Sequence, residues 1–208
     1  MKRRTLLAAG GGALVTLGAG HWPSVGIAQE AEAPVIVDMV RGSEDAAVEV
    51  IEYASYTCPH CATFHADQYQ SLKTNYIDTD RVRFIYREVY FDRPGLWASM
   101  IARCPGDQDF FFAFTELLYQ EQRNWLGSGD PAIIVDELRR LAKTAGLDDA
   151  ALDACLADAA KAEALFGWFQ ENAERDGINS TPSFMIDGEK YSNMAYDDFA
   201  AILDEKLG

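Results

Sequence analysis

The stretch Tyr-Thr-Cys-Pro-His-Cys-Ala-Thr-Phe-His, residues 56–65, sets Cys58 and Cys61 three positions apart with Pro59 and His60 between them. Two sulfurs at that spacing can close a disulfide, share a metal or pass electrons as a dithiol. Pro59 suits the first position of a helix, where its missing N–H would have no partner in any case. Cys58 is then the N-cap and Cys61 the third residue of the first turn. A sulfur at the N-cap faces the free N–H groups of that turn and the positive end of the helix dipole. Both favour thiolate over thiol, so Cys58 is expected to titrate below the usual value of about 8.5. Cys61, on the side facing the core, is expected to be buried and slower to react. Cys58 is therefore the expected attacking sulfur and Cys61 the resolving one. His60 adds an N–H or a positive charge beside Cys58, and a stabilised thiolate makes the oxidised pair the stronger oxidant.

Other chemistries fit the pair less well. A c-type haem site needs His directly after the second cysteine, where Ala62 stands. A zinc site or metallochaperone could recruit Cys58, Cys61 and His65, although no second close ligand pair completes it. A purely structural bridge would close too short a loop to restrain much unfolded-chain entropy.

The elements that would hold these residues follow from the surrounding pattern. Residues 35–40 read as an edge strand and 48–56 as a buried strand ending at Thr57 and Cys58. The helix opening at Pro59 carries Cys61, His65, Tyr69, Leu72 and Tyr76 on one stripe, with Phe64 beside it. Residues 81–91 alternate as a third strand, which makes a βαβ unit with a parallel strand pair. From Pro94 to about Gly177 the chain reads as nearly all helix, with a start at Asp130-Pro131 and stops at Gly146 and Gly177. Strand character returns over 183–191, where Asp187-Gly188 marks a hairpin turn, and an amphipathic helix ends the chain. This order describes an α/β, thioredoxin-like sheet (29–93 and 178–208) interrupted by an all-helical insertion (94–177). The aromatic run over 110–119 is too dense for one helix stripe. Most of it is expected in the core between insertion and sheet, with a few side chains lining a peptide groove near Cys58.

The chain has 208 residues, 49% of them hydrophobic, so a buried core is expected and wholesale disorder is not. Its opening differs from the rest. Lys2, Arg3 and Arg4 precede a weakly apolar run from Leu6 to about Ala19, and small residues, Gly26 and Ala28, close it. That is the pattern of an export signal over residues 1–28, by the Sec or the twin-arginine route, too short and glycine-rich for a comfortable membrane anchor. Removing it takes the formal charge from −15 to −18. Such an acidic chain argues against nucleic acid and anionic membrane surfaces as partners. Cys58, Cys61, Cys104 and Cys155 all lie in the exported part, an even count that suits an oxidising compartment.

With its Cys-Pro-His-Cys tetrad after a buried strand, a distant Thr-Pro at 181–182 and an export signal, the sequence resembles the DsbA-type thiol:disulfide oxidoreductases of the bacterial periplasm. The resemblance runs over most of the mature chain. It implies a cis peptide bond at Thr181-Pro182, in a loop that packs on the cysteine pair and binds extended substrate backbone. It implies that Glu52 is the carboxylate under the active site that helps to move protons. The strand supports this, because Glu52 shares a face with Val48 and Val50, and a buried acid there would have a raised pKa. It implies a structural disulfide between Cys104 and Cys155, as in a subset of the family, contributing roughly 4 kcal/mol in the chain-entropy model. A second redox-active pair at those positions is the alternative. The partners implied are reduced exported proteins as substrates and a quinone-linked, DsbB-like membrane oxidase, with the protein a monomer that needs no dissociable cofactor or metal. A disulfide isomerase or reductase of related fold stays open, since such isomerases also often carry Thr before the proline. Against it, residues 29–47 are too short for the dimerisation domain those isomerases have.

Overall fold

The computed structural model describes residues 34–208, so the export signal expected over 1–28 lies outside the described residues. Five strands among them form one mixed sheet in the order β1-β3-β2-β4-β5. They are β1 (Met39–Arg41), β2 (Val48–Ala54), β3 (Val82–Glu88), β4 (Ser183–Ile186) and β5 (Glu189–Ser192). β2 and β3 run parallel at the centre, with Glu52 opposite Tyr86, and the other neighbours are antiparallel. A parallel pair covered on both faces should be apolar nearly throughout, and six of the seven residues in each of these strands are buried.

The edge strand is shorter than the pattern of residues 35–40 suggests. Val35 and Val37 are exposed, and β1 begins only at Met39. Upstream of it, side chains rather than a strand take the polar groups: Arg103 donates to the Val37 carbonyl at 2.9 Å, and Arg87 grips the Asp38 carboxylate with two bonds of 2.8 Å.

β2 stops at Ala54 rather than Tyr56, and a helix opens at Pro59. It consists of α1 (Pro59–Phe64), a π-helical segment (His65–Tyr69), α2 (Gln70–Leu72) and a second π-helical segment (Lys73–Ile77). The expected stripe is all inward: Cys61, Phe64, His65, Tyr69, Leu72 and Tyr76 are buried. The wider π turns were not foreseen from the spacing; they carry His65, Tyr69 and Tyr76.

Between β3 and β4 the chain forms α3 (Arg93–Ala102), α4 (Gln108–Gln120), α5 (Gln122–Leu126), α6 (Pro131–Thr144), α7 (Asp149–Ala157) and α8 (Ala159–Arg175). α4 and α5 are separated at Glu121. Asp92, Asp107, Asp130, Asp148 and Asp158 each cap a helix by accepting a backbone N–H, satisfying donors the first turn leaves free. The β4–β5 turn at Asp187-Gly188 has φ of 47° and 80°, the left-handed pair a tight hairpin requires. The chain ends in α9 (Tyr196–Leu207).

The helix over 59–77 and α9 pack on one face of the sheet, where Phe64, Phe184 and Phe199 meet in one cluster with Val48, Val50 and Leu203. Phe111, Phe112, Phe114, Leu118 and Tyr119 of α4 join that core, so the aromatic run is mainly interior. Ile51, Tyr53 and Ile85 face the other way, toward Phe169 of α8 and Ile178. Among the described residues no helix is long and apolar enough to cross a membrane.

Candidate active site

The parallel pair fixes where the chemistry can sit. β2 and β3 end on the same edge of the sheet and β4 starts there, so residues 55–58, 89–92 and 180–182 converge. Cys58 is the N-cap of α1 with extended backbone, and Pro59 follows at the first helical position. Cys58 and Cys61 are both free thiols, Cys58 partly exposed and Cys61 fully buried. The Thr181-Pro182 peptide bond is cis. The Thr181 carbonyl oxygen lies 3.3 Å from Cys58 Sγ, which donates to it as a thiol.

The two sulfurs differ sharply in acidity. Cys58 is lowered from 9.0 to about 5, chiefly by a hydrogen bond from the Cys61 thiol. Partial burial opposes the shift, and the Thr181 side chain and the N–H groups of Cys61 and His60 add to it. Cys61 is pushed well above its ordinary value, first by burial, then by the bond it gives to Cys58 and by the nearby charge of Glu52. The helix start thus contributes as its position suggests, while the larger cause is the neighbouring thiol. His60 contributes through its backbone N–H, and its side chain is exposed.

Glu52 is completely buried, on the face it shares with Val48 and Val50. An isolated acid there would be costly, and His65 supplies its partner. His65 Nε2 lies 3.0 and 3.2 Å from the two Glu52 carboxylate oxygens. Its imidazole stacks on Tyr119 at 4.3 Å between ring centres and tilts against Tyr69 at 4.7 Å. His65 is therefore turned under the sheet toward Glu52. Among the described residues, no three His, Cys, Asp or Glu side chains are grouped to hold a metal ion.

The helical segment supplies residues that the sequence pattern did not single out. Gln122, at the start of α5, donates to the carbonyls of Tyr56 and Cys58 at 2.8 and 2.9 Å and so holds the loop that carries the first cysteine. Tyr119 bonds the Tyr86 hydroxyl at 2.6 Å and donates to the Ser55 carbonyl at 3.3 Å. Thr57 donates to Asp92 at 2.8 Å. A polar Gln just after an aromatic helix was the available signal for Gln122, but its partners lie more than sixty residues away.

Cys104 and Cys155 form a disulfide linking the segment after α3 to α7, with 5.7 Å between their Cα atoms. Neither sulfur sits at a helix start.

Comparison with known proteins places this arrangement. The family model described as Thioredoxin matches residues 35–205. A putative protein-disulfide oxidoreductase of Rickettsia bellii is 31% identical over 170 residues, 82% of this chain and 64% of the relative. The chain thus spans less than two thirds of that relative's own length. Wolbachia pipientis alpha-DsbA1 superposes with a TM-score of 0.76 at 25% identity, over 85% of this chain and 94% of that one. Oxidised BdbD of Bacillus subtilis shares the fold, with a TM-score of 0.72 at 23% identity over 82% and 92% of the two chains.

Proposed function

The chain belongs to the thioredoxin family, and from that premise we propose that it is a DsbA-type thiol:disulfide oxidoreductase that gives the Cys58–Cys61 disulfide to reduced exported proteins. The observation that carries the reading is the unequal pair: an accessible Cys58 at about 5 beside a buried Cys61 held far above its ordinary value.

In this reading the protein works from the oxidised state. A substrate thiolate attacks Cys58 Sγ, the Cys58–Cys61 bond breaks, and Cys61 leaves with the electron pair and takes up a proton. Attack falls on Cys58 because Cys61 is shielded. The Thr181-Pro182 loop, whose carbonyl already lies at the sulfur, holds the extended substrate backbone. A second substrate thiolate then attacks the first substrate sulfur and expels Cys58. A sulfur that titrates near 5 leaves readily as thiolate at neutral pH, which drives this step forward. Two electrons pass from the substrate to the pair, and no dissociable cofactor is needed because the sulfurs carry them. Glu52 serves the proton traffic of Cys61. The Cys104–Cys155 bridge braces the helical segment (94–177) that supplies Gln122 and Tyr119. A quinone-linked, DsbB-like membrane oxidase would restore the disulfide, and the export signal over 1–28 would deliver the protein to the periplasm as a monomer.

The test uses the oxidised protein and a peptide with two thiols. The expected result is one peptide disulfide formed per Cys58–Cys61 pair reduced, with Cys61→Ser trapping the peptide on Cys58. A Cys61→Ser protein that forms no adduct would remove the assignment of roles.

A further inference from the structure

We propose that His65 is the port through which the proton of Cys61 exchanges with solvent, so that the resolving cysteine is served through the floor of the site rather than from its open face. The inference rests on the oxidoreductase reading above, because only a cycle that charges and discharges Cys61 needs such a port.

Cys61 is fully buried and must gain a proton when its disulfide opens and lose one when it closes. Glu52, whose charge acts on Cys61, is equally shut off from water. Without an outlet, a buried acid can only hand one proton back and forth with Cys61; an outlet lets Glu52 exchange it with solvent between the opening and the closing of the pair. Both of its oxygens meet His65 Nε2. An imidazole carries a second nitrogen on the opposite side of its ring, so it can take a proton at one and release it at the other. His65 is 6% exposed, and its Nδ1 is buried without a hydrogen-bond partner among the described residues. The same residue lines a cavity of about 290 Å³ with Ala62, Ala66, Gln70, Glu116 and Tyr119. Ala66 and Gln70 are exposed, so the cavity opens to solvent. Nδ1 itself is buried, and the helix wall there consists of two alanines, so only small side chains flank the path from the ring to the cavity.

Other groups around the ring do not offer the same route. Tyr69 on its own helix, Tyr86 from β3 and Tyr119 from α4 are each held protonated by burial. Glu116 from α4 lines the cavity, while Cys61 and Glu52 are the groups served. When the pair closes, Cys61 attacks the sulfur of a Cys58 mixed disulfide and expels the bound thiolate. Its proton passes to Glu52, then to Nε2, while Nδ1 gives one up to water in the cavity. His65 acts through Glu52 and is thus a positioning and relay residue.

The probe is oxidised glutathione added to the reduced protein, with acid quench and intact-mass analysis to separate two rates. The first is formation of the Cys58–glutathione adduct, and the second is its resolution by Cys61. In His65→Ala the second rate should fall by about a hundredfold, the usual range for losing a proton-transfer group, while the first stays within about twofold. Added imidazole, which fits the space left, should restore most of the loss. Ala66→Leu, which fills the cavity and leaves the His65–Glu52 pair intact, should slow the same step and keep the proposal testable if His65→Ala does not fold. A wild-type resolution rate in either variant would overturn the proposal, and so would a loss in His65→Ala that imidazole does not relieve. A wild-type protein that forms no adduct at Cys58 would instead overturn the oxidoreductase reading.

Discussion

Cys58 Sγ and the Thr181 carbonyl oxygen lie 3.3 Å apart although 123 positions separate them in the chain. As a thiol, Cys58 donates to that carbonyl; as a thiolate it needs a donor, and the hydroxyl of the same threonine is buried and makes no hydrogen bond among the described residues. Thr181→Val keeps the shape and removes the donor. The Cys58 midpoint should rise from about 5 by roughly one unit, the scale of one hydrogen bond to a charged group. Ultraviolet absorbance of the thiolate checks this, and an unmoved midpoint removes Thr181 from the account.

The same titration makes stability depend on pH and redox state. Folding lowers the Cys58 value from 9.0 to about 5, so the folded state gains from the thiolate. That contribution is fully present above pH 9, shrinks as pH falls toward 5, and is lost below it. The oxidised protein has no such group. The reduced form should therefore gain melting temperature relative to the oxidised form between pH 5 and pH 9. Parallel melting curves for the two forms across that window would contradict the shift.

Arg103 and Glu88 form a two-bond pair at 2.5 and 2.7 Å, with 3% and 1% of their side chains exposed. Glu88→Ala leaves the guanidinium buried and unmatched, and should cost about 3–5 kcal/mol in a denaturant melt. Glu88→Leu combined with Arg103→Met removes both charges and should recover most of that loss. A double variant as weak as the single one would show that the charges themselves are required.

The Cys104–Cys155 disulfide closes a span of 51 residues, and no helix start activates either sulfur. Mild reductant should open Cys58–Cys61 first and leave this bridge intact by mass. Replacing both residues with alanine should lower stability by about 4 kcal/mol, the loop-entropy value for such a span. Equal reduction of the two bridges would point to a second redox-active pair.

The local chemistry of the site was legible in the sequence. Pro59 after Cys58 announces the helix start, Asp187-Gly188 the hairpin, and Glu52 between Val50 and Ala54 an acid on a buried strand. These rest on short-range rules, in which a residue constrains its own backbone or the next turn. What the sequence did not disclose depends on contacts between distant segments. Glu52 and His65 each look isolated in the chain, and their pairing needs both the strand and the helix in place. Gln122, just past the break between α4 and α5 at Glu121, reaches the Cys58 carbonyl across 64 positions of the chain. The start of β1 moved for a similar reason. Arg87 and Arg103, far along the chain, take the polar groups of residues 37 and 38.

In the proposed cycle the unequal sulfurs make this pair a donor of disulfides. Equilibration of the Cys58/Cys61 pair with a glutathione buffer, with Cys104 and Cys155 followed separately by mass, tests it most directly. The expected potential lies well above the roughly −270 mV of thioredoxin, because the reduced state holds a thiolate stabilised by Cys61, Thr181 and the helix start. A value at or below thioredoxin's would contradict it and mark a reductant.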